Sequence, residues 1–280
     1  MKRAGPHPRA GQEAPEPATG RSPASPPAIP AFDVREAGEF RRARNRMLEA
    51  LRARGISDAA VLSAMGRLPR QIFAPEGFGA RAYGDHALPV LDGQTLTQPH
   101  TVALCAQEVR RAGARRVLEV GTGSGYQAAV LALLCPHVFS VERHPRLLAL
   151  ARANLDRLGL TNVALLRGDG SIGWSRFAPY DVVVVAAAAP RVPAALLSQL
   201  TPGGRLLAPV GGADGQELMR VTRQAREFRT ESLGPCSFVP LLGERGGGPA
   251  DAGSGGERPD RPASDRDEAG PPETSPARRS

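Results

Sequence analysis

Lysine is almost missing from this 280-residue chain: Lys2 is the only one among 36 basic residues, so nearly every cation is an arginine. Aromatic residues make up 4% of the chain, too few for the stacking platforms that bind single-stranded nucleic acid. Cysteine is scarce as well. Cys105, Cys135 and Cys236 are an odd number without a CxxC pair, which argues against a disulfide or zinc framework and for reduced, mostly buried thiols in a cytoplasmic protein. The longest apolar run, Val182 to Ala189, is far short of the ~20 residues that cross a bilayer. Prolines and charges interrupt residues 1–31, so the apolar core of a signal peptide is missing too. The expectation is a cytoplasmic protein without a membrane segment or a bound metal.

Glycine (32) and proline (27) are plentiful but uneven. Residues 1–35 and 244–280 are rich in Pro, Gly and charge and nearly devoid of large apolar side chains. Such segments cannot bury enough surface to offset about 1–2 kcal/mol of ordering entropy per residue, so two disordered tails are expected around one domain over residues 36–243. The net charge of +8 arises in that middle, which carries +9, since residues 1–36 carry +1 and residues 244–280 carry −2. Its arginines are scattered, and the one close run, Arg41 to Arg46, falls on an expected amphipathic helix. A solvated basic face accounts for it, with attraction to acidic partners as the alternative.

Helical spacing of Phe40, Met47, Leu48 and Leu51 predicts a helix over residues 36–54, and Ser57-Asp58 opens a second that closes before Pro69. Residues 73–98 lack periodicity and read as loops, followed by a helix from about His100 to Arg111. Short apolar runs then alternate with helical stretches. Strands are expected at Val117–Val120, Val138–Val141, Val163–Leu166, Asp181–Val185 and Arg205–Pro209; helices are expected at Tyr126–Leu134, Pro145–Leu158 and Pro193–Leu200. This pattern predicts an α/β fold, doubly wound around a mostly parallel sheet with helices on both faces. Glu217–Thr222 and Phe238–Leu241 are expected to add antiparallel edge strands, and the first two helices form an N-terminal extension.

In such a sheet the ligand lies beyond the carboxyl ends of the strands. The first strand-to-helix turn is Gly121-Thr122-Gly123-Ser124-Gly125, preceded by Glu119. Its GxGxG spacing puts Tyr126 where a dinucleotide fingerprint needs its third glycine. Glu119 would repel a pyrophosphate and suits a cationic ligand; the bland alternative is a tight turn. Glu142, beside Arg143, ends the second strand, where a carboxylate can accept both hydroxyls of a ribose. A surface ion pair with Arg143 is the alternative. Asp169, between Gly168 and Gly170 after the third strand, can take an adenine amino hydrogen, or can simply make a turn.

Together these features resemble class I methyltransferases, and the surrounding stretches are similar to the protein-L-isoaspartate O-methyltransferase family. They include Leu68-Pro-Arg70 with Phe73, Gly93-Gln-Thr-Leu-Thr-Gln-Pro99, Leu118 to Gln127, Ser140-Val-Glu-Arg143, Arg167-Gly-Asp-Gly170, Pro202-Gly-Gly204 and Phe238-Val-Pro-Leu241. The likeness runs over roughly residues 37–245. It implies a Rossmann-like fold, S-adenosylmethionine as cofactor, and methylation of L-isoaspartyl carboxylates in damaged proteins and peptides by a monomer. Glu119, the glycine loop, Glu142, Arg143, Asp169 and Gly170 would hold the cofactor; Gln94, Thr95 and Ala187 would contact substrate, and Thr97 would be catalytic. Thr97 stands where the family commonly has serine, keeping the hydroxyl while adding a methyl group that stiffens χ1. Ala186 replaces the family's threonine after the fourth strand. The Thr97 hydroxyl could alternatively cap the following helix.

Two rival readings are a nucleic-acid methyltransferase and a non-catalytic cofactor-binding module. Ala186–Pro190 lacks the Asn/Asp-Pro-Pro-Tyr type of motif used on base amino groups. The only Pro-Cys, Pro235-Cys236, lies too far downstream for cytosine C5 chemistry. No nucleic-acid partner is therefore expected.

Overall fold

The protein is described by a computed structural model covering residues 38–212 and 214–246, and the two expected tails fall almost entirely outside these residues. Two helices, α1 (Gly38–Ala53) and α2 (Ala59–Arg67), come first, and Asp58 caps α2 by accepting from the Ala60 and Val61 amides. The loop-rich stretch that follows contains a two-residue ladder, β1 (Leu88–Pro89) against β2 (Thr95–Leu96). Helix α3 (Pro99–Arg111) leaves it immediately.

The α/β core then alternates as expected: β3 (Arg116–Val120), α4 (Tyr126–Ala132), β4 (His137–Glu142), α5 (Pro145–Arg157), β5 (Val163–Arg167), β6 (Tyr180–Val185), α6 (Ala194–Leu197) and β7 (Leu200–Gly212). An antiparallel pair, β8 (Gly215–Arg223) and β9 (Phe228–Cys236), completes a seven-stranded sheet of order β5-β4-β3-β6-β7-β8-β9. Strands β3 to β7 run parallel. The chain winds outward from β3 through β5, then returns to the other side of β3 with β6, so the switch point lies between β3 and β6.

Both sheet faces are covered, and the strand period of two sorts the side chains. Val117, Val138, Val182 and Val184 pack with α1–α4. Leu118, Val120, Phe139, Val141, Val183 and Val185 pack on the other face with Leu196 of α6. Buried Glu108 on α3 binds Arg111 (2.7 Å), Arg205 of β7 (3.2 Å) and Arg220 of β8 (2.7 Å), which pins α3 to the sheet.

Two expectations are corrected. The last edge strand is Phe228–Cys236, whereas Phe238–Leu241 is irregular, touching the sheet by a parallel bridge of Pro240 to Ala188. Proline has no N–H to continue a ladder. The expected helix Pro193–Leu200 shrinks to Ala194–Leu197, because Leu200 already pairs with Tyr180 as β7 begins. Among the described residues no helix is long and apolar enough to cross a membrane, and no three His, Cys, Asp or Glu gather as a metal site.

Candidate cofactor and substrate cleft

A cleft opens where the parallel strands end. One wall is the glycine loop and the end of β4: Gly121 to Ser124, then Glu142, Arg143 and His144. The facing wall is Gln94 to Thr97, and Ala186, Ala187, Gly170 and Val239 to Leu242 close the rest.

The loop glycines divide the work. Gly121, Gly123 and Gly125 all have positive φ (92°, 56° and 93°), so this turn is closed to most side chains. A Cβ on Gly125 would meet Ala151 of α5 at 3.2 Å, making this glycine a packing residue between helices. A Cβ on Gly123 would meet nothing within 4 Å, which leaves an open approach to the backbone. Next to it, the Ser124 hydroxyl is buried and has no hydrogen-bond partner among the described residues, which leaves it available to a ligand.

Glu142 is 5% exposed. Its Oε2 accepts from the Gly123 amide (2.9 Å) and its Oε1 from the His144 amide (2.9 Å), so the carboxylate ties the glycine loop to the turn after β4. Each oxygen keeps a lone pair for a ligand hydroxyl. His144 and Arg146 also face Asp92, at 4.0 and 3.0 Å, which draws the turn before β2 toward the start of α5. Asp92 sits there at φ 56°.

Glu119 departs from the sequence expectation. The strand period puts it on the Val117 face, beneath α4, where it is fully buried and does not line the cleft. Ser140 Oγ and Gln127 Nε2 donate to it, and Thr122 Oγ1 lies 2.6 Å from Ser140 Oγ. Burial pushes the Glu119 carboxyl up to about 8 against those two hydrogen bonds. Burial thus favours its neutral form, and it reaches the site through Ser140 and Thr122 from behind the loop.

Asp169 is likewise drawn away from an open cavity. Its Oδ1 accepts from the Ser171 amide (2.8 Å) and its Oδ2 from the Glu244 amide (2.7 Å). Burial alone would raise its pKa, but the bonds from Glu244 and Ser171 outweigh it and hold the carboxyl below its ordinary value. The segment at Gly243 presses so close that a Cβ there would clash with the Asp169 carboxylate. Gly170 lines the cleft; Asp169 stands behind it.

Thr97 does not cap α3. The cap position is Gln98, without a side-chain cap bond, and the first-turn amide of His100 goes instead to Asp85 Oδ1 (3.0 Å). The Thr97 hydroxyl is thereby left for the cleft. Its main chain is anchored by Arg70, whose Nη2 donates to the Thr97 carbonyl at 2.7 Å.

Gln94, Thr95, Thr97, Gly121, Thr122, Gly123, Ser124, Glu142, Arg143, Gly170 and Ala187 thus share one cleft, while Glu119, Gly125 and Asp169 stand behind it. His144, Leu241 and Leu242 also line it, although the sequence did not single them out as site residues. The phrase Phe238-Val-Pro-Leu241 carried that signal, but its apolar character reads as a strand.

Comparison with known proteins agrees with this architecture. The profile of the protein-L-isoaspartate(D-aspartate) O-methyltransferase family matches residues 42–246. A protein-L-isoaspartate O-methyltransferase 2 of Marinobacter nauticus is 51% identical over 216 residues, 76% of this chain and 98% of the relative. One from Methylorubrum extorquens is 52% identical over 211 residues, 75% of this chain and 91% of its own length. A solved protein-L-isoaspartate O-methyltransferase superposes with a TM-score of 0.66 at 29% identity, covering 73% of this chain and 67% of its own. The chain belongs to the protein-L-isoaspartate(D-aspartate) O-methyltransferase family.

Proposed function

We propose that the chain transfers a methyl group from S-adenosylmethionine to the free carboxylate of L-isoaspartyl residues in damaged proteins and peptides. The observation that carries this reading is the two-walled cleft. An open glycine, a two-oxygen acceptor at Glu142 and the Ser124 hydroxyl, without a partner among the described residues, face a second wall that carries Thr97. Relatives named for isoaspartate methylation align over nearly their whole length, and a Plasmodium falciparum neighbour of the same fold (TM-score 0.63, 23% identity, covering 71% of this chain and 97% of its own) was solved in complex with S-adenosyl-L-homocysteine.

The donor set suits S-adenosylmethionine, which supplies a methyl group already activated by a sulfonium. Glu142 would accept hydrogen bonds from the ribose hydroxyls, and the glycine loop, Ser124 and Arg143 would hold the amino-acid end, with Gly170 serving the adenine end and Asp169 behind it. Glu119 acts at one remove, keeping Thr122 in place through Ser140. The acceptor carboxylate is ionised at neutral pH, so no general base is needed. Thr97 Oγ donates to one carboxylate oxygen and leaves the other free to attack, while Gln94, Thr95 and Ala187 shape the pocket around the peptide. Alignment of the reacting atoms supplies about 7–11 kcal/mol of the barrier reduction. Transfer breaks the sulfur–methyl bond and leaves S-adenosylhomocysteine; the backbone nitrogen of the following residue then displaces methanol from the ester to close a succinimide, which water reopens in part to normal aspartate.

Both walls come from one chain, which supports action as a monomer. The three free cysteines fit a reducing, cytoplasmic setting. Ala186–Pro190, without a base-methylation motif, favours a protein acceptor over nucleic acid. The test offers labelled S-adenosylmethionine with an isoaspartyl peptide, its aspartyl twin and a nucleic acid. Label in the isoaspartyl peptide alone is expected; label in the nucleic acid, or in neither peptide while cofactor binds, overturns the proposal.

A further inference from the structure

Arg70 is a fully buried cation. Among the described residues no carboxylate pairs with it, and the groups that act on its charge are Tyr126 and Tyr83. Burying a guanidinium without an opposite charge is costly, so its retention calls for a reason.

Its donors go to main chain. Nε donates to the Ala82 carbonyl at 2.6 Å and Nη2 to the Thr97 carbonyl at 2.7 Å. The guanidinium carbon lies 4.4 Å from the ring centroid of Tyr126, the first residue of α4 and the one directly after the glycine loop. Nη1 and the Tyr126 hydroxyl are both buried, and among the described residues neither has a hydrogen-bond partner of good geometry. One planar side chain therefore joins the turn before β1, the wall that carries Thr97, and the helix that leaves the glycine loop. Thr97 itself lies between β2 and α3. No ladder or helical bond takes its carbonyl, and Arg70 is its donor.

We propose that Arg70 is the positioning residue for Thr97, fixing the hydroxyl against the glycine loop through the Thr97 carbonyl. This rests on the function proposed above, in which Thr97 meets the acceptor carboxylate. Arginine suits the task because its rigid fork serves two carbonyls while its face stacks on a ring; a lysine offers one flexible point charge. The reaction also separates this role from a simple field effect. Methyl transfer joins an anion and a cation into neutral products, so a bare positive field favours bound substrate over the transition state and shows in KM. A misplaced hydroxyl shows in kcat.

The test is R70K, which keeps the charge and loses the fork. We expect kcat on an isoaspartyl peptide to fall ~10–100-fold, with KM and the Kd for S-adenosylhomocysteine within about threefold of wild type. In a T97A background the same substitution should cost less than about threefold in kcat, because the hydroxyl being positioned is gone. Wild-type kcat in R70K, a change in KM alone, or an undiminished loss in the T97A background overturns the proposal. If R70K does not fold, an ester at the Thr97–Gln98 linkage weakens the carbonyl acceptor while leaving Arg70 intact; kcat lowered by about fivefold or more supports the grip, and unchanged kcat overturns it. A wild-type chain that binds cofactor but never labels the peptide overturns the proposed function alone. Amide exchange at residues 95–97 then judges Arg70: faster exchange in R70K supports positioning, and unchanged exchange refutes it.

Discussion

Exchanging Glu142 for glutamine separates two duties of one carboxylate. In the wild-type chain Oε2 holds the Gly123 amide and Oε1 the His144 amide, both at 2.9 Å. Glutamine keeps one acceptor oxygen and turns the other atom into an NH₂ that confronts an N–H. One charge-assisted bond, worth about 1.5–3 kcal/mol, is lost and the other weakens to about 1 kcal/mol. The ligand-free protein should lose about 2–5 kcal/mol of stability, lowering Tm by roughly 4–20 °C for a domain of this size. The ribose also loses a charged acceptor, so the Kd for S-adenosylhomocysteine should rise ~10-fold or more. Thermal unfolding without ligand and titration calorimetry with S-adenosylhomocysteine read the two effects separately. Unchanged affinity beside a lowered Tm refutes the ribose contact and leaves only the loop tether. Unchanged Tm refutes the tether.

The remaining expectations concern the other polar groups of the cleft. D169N should loosen the contact with Gly243–Arg245, raising amide exchange at Glu244 and weakening S-adenosylhomocysteine by ~3–10-fold; unchanged exchange contradicts the contact. T97A should lower kcat ~10–100-fold with the cofactor Kd unchanged, and T97S should stay within about threefold of wild type, since it keeps the hydroxyl; equal losses in both variants remove the hydroxyl from the mechanism. Glu119 has a pKa raised to about 8 from an ordinary 4.5, so the fold binds its proton more tightly than the unfolded chain does. Its contribution is full below about pH 4.5 and is lost as pH rises through about 8, so the Tm difference between wild type and E119Q should shift against wild type over that range; parallel curves contradict a buried neutral carboxyl.

What could be read from the sequence follows from which signals are local. The glycine loop, Glu142 and Thr97 were legible because each sits at a strand end or beside a distinctive phrase, and strand ends are where α/β sheets bind ligands. Glu119 was legible as a site residue but not as a buried one: the period of two turns it beneath α4, opposite Ser140. Asp169 was read from its glycine neighbours, while its partner Glu244 lies 75 residues away. Edge strand β9 leaves little signal in the sequence because its side chains are exposed or half-buried and it contains Gly234-Pro235. Phe238–Leu241 reads as a strand because it is apolar, but Val239, Pro240 and Leu241 cover the cleft rather than a sheet edge; the Leu241 amide donates to the Ala188 carbonyl at 2.6 Å. Arg70 could be recognised as part of a family phrase, but its bonds reach 12 and 27 residues along the chain, a relation that only the fold displays.

The most direct measurement follows one synthetic isoaspartyl peptide by mass spectrometry in the presence of the chain and S-adenosylmethionine. The account predicts a methyl ester on the isoaspartyl carboxylate, its decay to the succinimide, and gradual appearance of the aspartyl peptide, with the aspartyl twin unmodified throughout. An ester on the aspartyl twin, or no ester at all while S-adenosylmethionine remains bound, would contradict it.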